Sequence, residues 1–158
     1  MDEYRFELAS TRDAAAIACL SRRVIEAGLP AAWPADRVLC HIKRTDSVVV
    51  TARVHGLMAG FAIMQFGDSH AHLNLLAVET THQRRGLGRQ LMNWLHESAL
   101  IAGTFDVGLE LRANNTGARR FYESLNYRAG DLIRGYYQGI EDALRMTCDL
   151  RVNRGLTA

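Results

Sequence analysis

Residues Gln83-Arg84-Arg85-Gly86-Leu87-Gly88-Arg89 separate a strand-like stretch from a long helical stripe, and no other segment constrains the chain as much. The first N–H groups of a helix lack intrahelical partners and lie at its positive dipole end, so such a helix start suits a phosphate or pyrophosphate. Gly86 and Gly88 carry no Cβ to hold an anion away from those amides, and Arg84, Arg85 and Arg89 add guanidinium donors. A P-loop would need Gly-Lys-Ser/Thr, which the chain lacks. A dinucleotide fold would need Gly-x-Gly-x-x-Gly after an early parallel βαβ unit, whereas the strands before residue 83 read as antiparallel. Alone, the segment says only that a phosphate can bind.

The rest of the chain reads as an alternation of strands and helices. Tyr4, Phe6 and Leu8 alternate with charged residues, the period of a half-buried strand. Ser10 and Asp13 form a capping-box variant before Ala14, Ile17, Ala18, Ser21, Val24 and Ile25, with Gly28 expected to end that helix. Residues 29–34 hold both prolines, and Ala35 to Lys43 reads as a second short helix. Strands at Ser47–Val54 and Leu57–Phe66 flank a tight His55-Gly56 turn, and a third runs near Ala71–Val78. In that third strand Leu73 and Leu75 share one parity and Leu76 and Val78 the other. This predicts either a β-bulge or a strand buried on both faces.

Leu87, Leu91, Trp94, Leu95 and Ala99 give a helical stripe that Gly103 closes. Phe105, Val107, Leu109 and Leu111 then alternate with polar positions, leaving Glu110 on the opposite face of a strand. Asn115 suits an N-cap for a helix carrying Ala118, Phe121, Tyr122 and Leu125, and Asn126 suits the left-handed position after it. Strands near Tyr127–Arg134 and Asp142–Leu150 finish the pattern. It predicts one α/β (α+β) domain over 1–151, with a mixed, mostly antiparallel sheet of about seven strands, helices on both faces, and a frayed tail at 152–158.

Bulk properties narrow the function. A chain of 158 residues suits a single domain. Its net charge of +2 is too small to argue for nucleic acid, and Lys43 is the sole lysine among 19 basic residues, a bias read as compositional. No apolar run reaches a membrane span, and the start lacks a basic region followed by an apolar stretch, so a cytoplasmic protein is expected. Cys19, Cys40 and Cys148 are far apart and odd in number, which disfavours zinc and a disulfide framework. His70-x-His72 places two imidazoles on one strand face, but with no third ligand near in sequence no metal site is expected.

Together these features resemble the GCN5-related N-acetyltransferase superfamily. The Gln/Arg-x-x-Gly-x-Gly/Ala signature is met by Gln83 to Gly88. Leu109-Glu110-Leu111-Arg112-Ala113-Asn114-Asn115 and Phe121-Tyr122-Glu123-Ser124-Leu125-Asn126-Tyr127 resemble the second cofactor segment. Arg134-Gly135-Tyr136-Tyr137 before Glu141-Asp142-Ala143 is similar to the branch that acetylates the N-terminal alanine of a ribosomal protein, whereas residues 28–46 depart from it.

The resemblance implies acetyl-CoA as acetyl donor and a primary amine as acceptor, either a protein or peptide N-terminus or a small amine. It implies that Leu76, Ala77 and Val78 offer backbone groups to the pantetheine arm. Gln83, Arg84, Arg85, Gly86, Leu87, Gly88 and Arg89 would hold the pyrophosphate, and Asn115 would hydrogen-bond the cofactor. Glu110 falls at the general base and Tyr122 at the general acid. A backbone amide freed by a bulge near Leu76–Val78 would suit the developing oxyanion. Members are often monomers or homodimers, and the resemblance implies one of these for this chain. The alternative from another class is a non-catalytic acyl-CoA sensor or interaction module, against which the presence of both Glu110 and Tyr122 argues.

Overall fold

The computed structural model describes residues 3–25 and 33–153. The opening alternation forms β1 (Arg5–Leu8), and the capping box forms as expected, with the Ser10 backbone N–H donating to Asp13 Oδ2 at 2.8 Å. A single 3-10 turn over Thr11–Asp13 leads into α1 (Ala14–Val24). The helix ends before Gly28, which lies outside the described residues, as does most of the proline-containing loop. Then follow α2 (Ala35–Lys43), β2 (Ser47–Val54), β3 (Leu57–Phe66) and β4 (His70–Val78), close to the bounds the periodicity predicts. His55 and Gly56 both take positive φ in the β2–β3 turn, the geometry of a tight hairpin.

A second 3-10 turn (Thr80–His82) precedes α3 (Leu87–Ile101). β5 (Asp106–Arg112), α4 (Thr116–Ser124), β6 (Arg128–Tyr137), β7 (Glu141–Asp149) and a short α5 (Leu150–Asn153) complete the described chain. The seven strands form a sheet of order β1-β2-β3-β4-β5-β7-β6. β4 and β5 run parallel; β1–β2, β2–β3, β5–β7 and β6–β7 run antiparallel.

The chain divides into two compact units, one of residues 1–65 and 74–95 and the other of residues 66–73 and 96–158. In the first, Ile17 and Leu20 of α1, Val38 of α2, Phe61 and Ile63 of β3, and Leu75 and Ala77 of β4 share one apolar cluster. The intervening Gly60 turns the other way. A Cβ built there would lie 2.8 Å from the Ala77 carbonyl oxygen and 3.2 Å from a methyl of Leu91 on α3. β3 is therefore covered by helices on both faces, as a strand buried from Ala59 to Met64 requires.

In the second unit, Val107, Leu109 and Leu111 of β5 and Leu144, Met146 and Cys148 of β7 form the buried side, with Leu109 opposite Met146. The Cys148 thiol reaches the Leu125 carbonyl at 3.8 Å, and Asn126 takes the left-handed conformation expected of it at φ 68°. The β4 residues Ala71, Leu73, Leu75 and Ala77 are buried and those between them are not, so exposure alone displays no phase switch along the strand.

Candidate active site

The Gly-x-Gly segment of the first unit forms a turn with two left-handed residues. Arg84 has φ 62° and Gly86 φ 80°, and the Gly86 carbonyl accepts the Gln90 N–H at 3.1 Å, opening α3. A non-glycine residue in this region costs roughly 1 kcal/mol, and such strain concentrates where a ligand is bound. Nothing lies within 4 Å of a Cβ built on Gly86. The space beside the helix start is open, and its glycine answers to φ rather than to crowding. Arg84, Arg85 and Arg89 are exposed around it.

The other predicted donor-site residues separate by role. The Leu87 side chain is 1% exposed and packs beneath Gly60, so only its backbone can face a ligand. The Gln83 amide donates to the Val78 carbonyl at 3.0 Å and closes the turn, which occupies that carbonyl. Leu76 and Val78 are half-buried and Ala77 is buried. Glu79, just past the end of β4, is held by Arg23 of α1 through two bonds of 2.8 and 3.0 Å, which lower its pKa. The contact is nonlocal, because 56 residues separate the two. Tyr4 bonds His82 Nδ1 at 3.0 Å at the other end of the same 3-10 turn.

In the second unit Glu110 is the centre of a polar cluster. Its side chain is 7% exposed. Oε1 meets His72 Nε2 at 2.6 Å and accepts the Tyr136 hydroxyl at 3.0 Å; Oε2 accepts Arg145 Nε at 3.1 Å. Burial works to raise the carboxyl pKa, but His72, Arg145 and Tyr136 outweigh it and bring it down to about 2. His72, Glu110, Tyr136 and Arg145 all line an open cavity of about 1210 Å3. The sequence pointed to Glu110 and carried Tyr136 within the Arg134-Gly135-Tyr136-Tyr137 motif, yet assigned nothing to His72 or Arg145. The available signal was the His70-x-His72 alternation, which marks a polar strand face.

Tyr122 is 9% exposed, with its ring edge-on to Phe121 at 5.0 Å and to Tyr127 at 5.6 Å. Burial, then the neighbouring Tyr137 hydroxyl, push its pKa up, so it keeps its proton. That makes it a weaker acid than the bare side chain but a dependable hydrogen-bond donor. Asn115 caps α4 as expected, Oδ1 accepting the Ala118 N–H at 3.0 Å. That oxygen is engaged, so the side-chain amide nitrogen is the group that can serve a ligand. No cluster of three or more metal-ligating side chains occurs among the described residues.

A mixed seven-stranded sheet and an arginine-flanked Gly-x-Gly turn feeding a helix give the chain a helix start suited to an anion. Residues 45–129 match the model of the family described as the acetyltransferase (GNAT) domain, and the chain belongs to that family. It is 42% identical over 92 residues to the [ribosomal protein bS18]-alanine N-acetyltransferase of Salmonella typhimurium, covering 56% of this chain and 62% of that protein. It is 36% identical over 95 residues to the N-terminal acetyltransferase B complex catalytic subunit NAA20 of Arabidopsis thaliana, covering 60% of this chain and 55% of that one. The chain thus spans less than two thirds of the length of these curated relatives. The crystal structure of the ribosomal-protein-S18-alanine N-acetyltransferase from Escherichia coli superimposes with a TM-score of 0.84 at 28% identity, over 99% of this chain and 96% of that one.

Proposed function

We propose that this chain is an acetyl-CoA-dependent N-acetyltransferase whose acceptor is the N-terminal amine of a protein or peptide. The observation that carries the reading is a buried, ionised carboxylate, Glu110, at the wall of an open cavity in a chain of this family. The cavity, about 1210 Å3 and open to solvent, leaves room for the end of a polypeptide. The relatives named for N-terminal acetylation support the same choice.

The residues at the Gly86 turn suit the donor. The left-handed Arg84 and Gly86, the open space beside Gly86 and three exposed guanidinium groups together favour a pyrophosphate. Leu76, Ala77 and Val78 offer backbone groups to the pantetheine arm, and Asn115 its amide nitrogen. When bound, acetyl-CoA supplies an acetyl group on a thioester that can pass directly to an amine. Proton handling on the acceptor side falls to the Glu110 cluster. Tyr122 donates a hydrogen bond on the thiol side. With no helix among the described residues long and apolar enough to cross a membrane, a cytoplasmic site of action fits the reading.

The test is turnover of acetyl-CoA with peptides bearing free or blocked N-termini and with small amines, using wild type, Glu110→Gln and Tyr122→Phe. Turnover confined to free peptide N-termini, reduced in both variants, is expected. Binding of acetyl-CoA without turnover on any amine would favour an acyl-CoA sensor, and no binding at all would remove the reading.

A further inference from the structure

The connection from β4 to α3 is exposed and strained at once. Every residue from Thr80 to Gly86 is exposed except the half-buried His82, yet Arg84 keeps a left-handed φ of 62°. Backbone strain of that kind persists only where the surroundings over-determine it. Locally, the His82 N–H donates to the Glu79 carbonyl at 2.8 Å, the Gln83 N–H to the Thr80 carbonyl at 3.3 Å, and the Gln83 amide to the Val78 carbonyl at 3.0 Å.

Anchors from distant parts of the chain secure both ends of the 3-10 turn, whose N-cap is Glu79 and whose last residue is His82. At the start, the Glu79 N–H donates to the Ala59 carbonyl of β3 at 2.8 Å. Arg23 of α1 donates Nη1 to Glu79 Oε1 at 2.8 Å and Nη2 to Oε2 at 3.0 Å, a two-pronged grip that fixes direction as well as distance. At the end, the hydroxyl of Tyr4, just before β1, meets His82 Nδ1 at 3.0 Å, and the two rings stand edge to face with centroids 5.6 Å apart. All of these residues belong to the first unit.

Resting on the N-acetyltransferase reading and on its donor turn, we infer that Arg23 and Tyr4 are positioning residues for the coenzyme. Acting through Glu79 and His82, they keep the segment before Arg84 and Gly86 in the shape that receives the pyrophosphate. A turn that must be ordered when its ligand arrives costs affinity, and a turn ordered beforehand does not. The chemical step is untouched, because neither side chain reaches the reacting atoms. Loss of either anchor therefore acts on donor binding and not on turnover once the donor is bound. Arg23 is 53% exposed and lies outside the core, so replacing it leaves the packing of the fold in place.

Calorimetric titration with CoA, together with steady-state kinetics in acetyl-CoA and an acceptor peptide, tests the inference on wild type, Arg23→Ala, Arg23→Lys and Tyr4→Phe. Arg23→Ala and Tyr4→Phe are each expected to raise the Kd for CoA and the KM for acetyl-CoA about two- to fivefold. In both, kcat and the KM for the peptide should stay at wild-type values, a split that general damage to the fold would not produce. Arg23→Lys, which keeps a charged donor for Glu79, should recover part of the lost affinity. Wild-type CoA affinity in Arg23→Ala or in Tyr4→Phe, or a fall in kcat matching the rise in KM, would overturn the inference and leave the acetyltransferase reading standing. A wild type that binds CoA but acetylates no amine would remove the enzyme reading, and the calorimetric arm would still decide the role of the two anchors. A wild type that binds no CoA overturns both.

Discussion

Glu110 on β5 and Arg145 on β7 are directly opposed in an antiparallel ladder, and the guanidinium Nε donates to the carboxylate Oε2 at 3.1 Å. With His72 and Tyr136 on the other oxygen, the pair fixes a negative charge in a largely buried position. Such an arrangement costs desolvation, and removing one partner is more damaging than never having built it.

The charge state of Glu110 predicts a pH-dependent stability. Its carboxyl lies below the unfolded value near 4.5, at about 2, so its contribution is complete above about pH 4.5 and is lost as pH falls toward 2. A depression of that size is worth about 3 kcal/mol at neutral pH. Glu110→Gln should lower stability in urea by about 2–3 kcal/mol at pH 7, and the gap from wild type should narrow at pH 3. An unchanged gap at the two pH values would contradict this account of the cluster.

Gly86→Val should separate binding from folding. Its Cβ meets nothing within 4 Å, so the cost to the fold is the φ of 80° alone, roughly 1–2 kcal/mol. The added side chain occupies the space proposed for the pyrophosphate. Calorimetry should show at least a tenfold loss of CoA affinity (about 1.4 kcal/mol) with a modest drop in melting temperature. Retained affinity would move the donor site away from this turn.

Gly60→Ala is expected to damage both. The new methyl would stand 2.8 Å from the Ala77 carbonyl oxygen, which is backbone and can yield only if β3 or β4 shifts. The expected loss is about 1–3 kcal/mol in chemical denaturation. Because Ala77 is proposed to face the pantetheine arm, CoA affinity should fall too; a stable variant with normal affinity would show that β4 does not hold it.

Asn115 offers a cleaner separation. Asn115→Ala removes the oxygen that caps Ala118 and should cost about 1 kcal/mol, whereas Asn115→Asp keeps the cap and should retain stability. Both remove the amide nitrogen, so both should weaken CoA binding. Normal CoA affinity in the Asp variant would restrict Asn115 to capping.

Local periodicity made most elements legible. α2, β2 and β3 fall on the predicted bounds, because short amphipathic segments ending at a cap or a tight turn encode their own limits. β6 was less so: the sequence suggests a strand ending near Arg134, and the strand runs to Tyr137. Its register with β7 shifts between Ala129 and Leu132 and again between Ile133 and Tyr137, and such irregularity blurs the alternation that periodicity relies on.

By itself the sequence determined the Gly86 turn, since two glycines, flanking arginines and the onset of a helical stripe act within seven residues. It also determined which face of β5 would carry Glu110, since parity along a strand is local. Only the tertiary structure decided what Glu110 meets. His72 is 38 residues away and Arg145 is 35, and their approach depends on strand order and register. A slip of one residue in either ladder would turn those side chains to the opposite face, and long-range packing, not local spacing, sets the register.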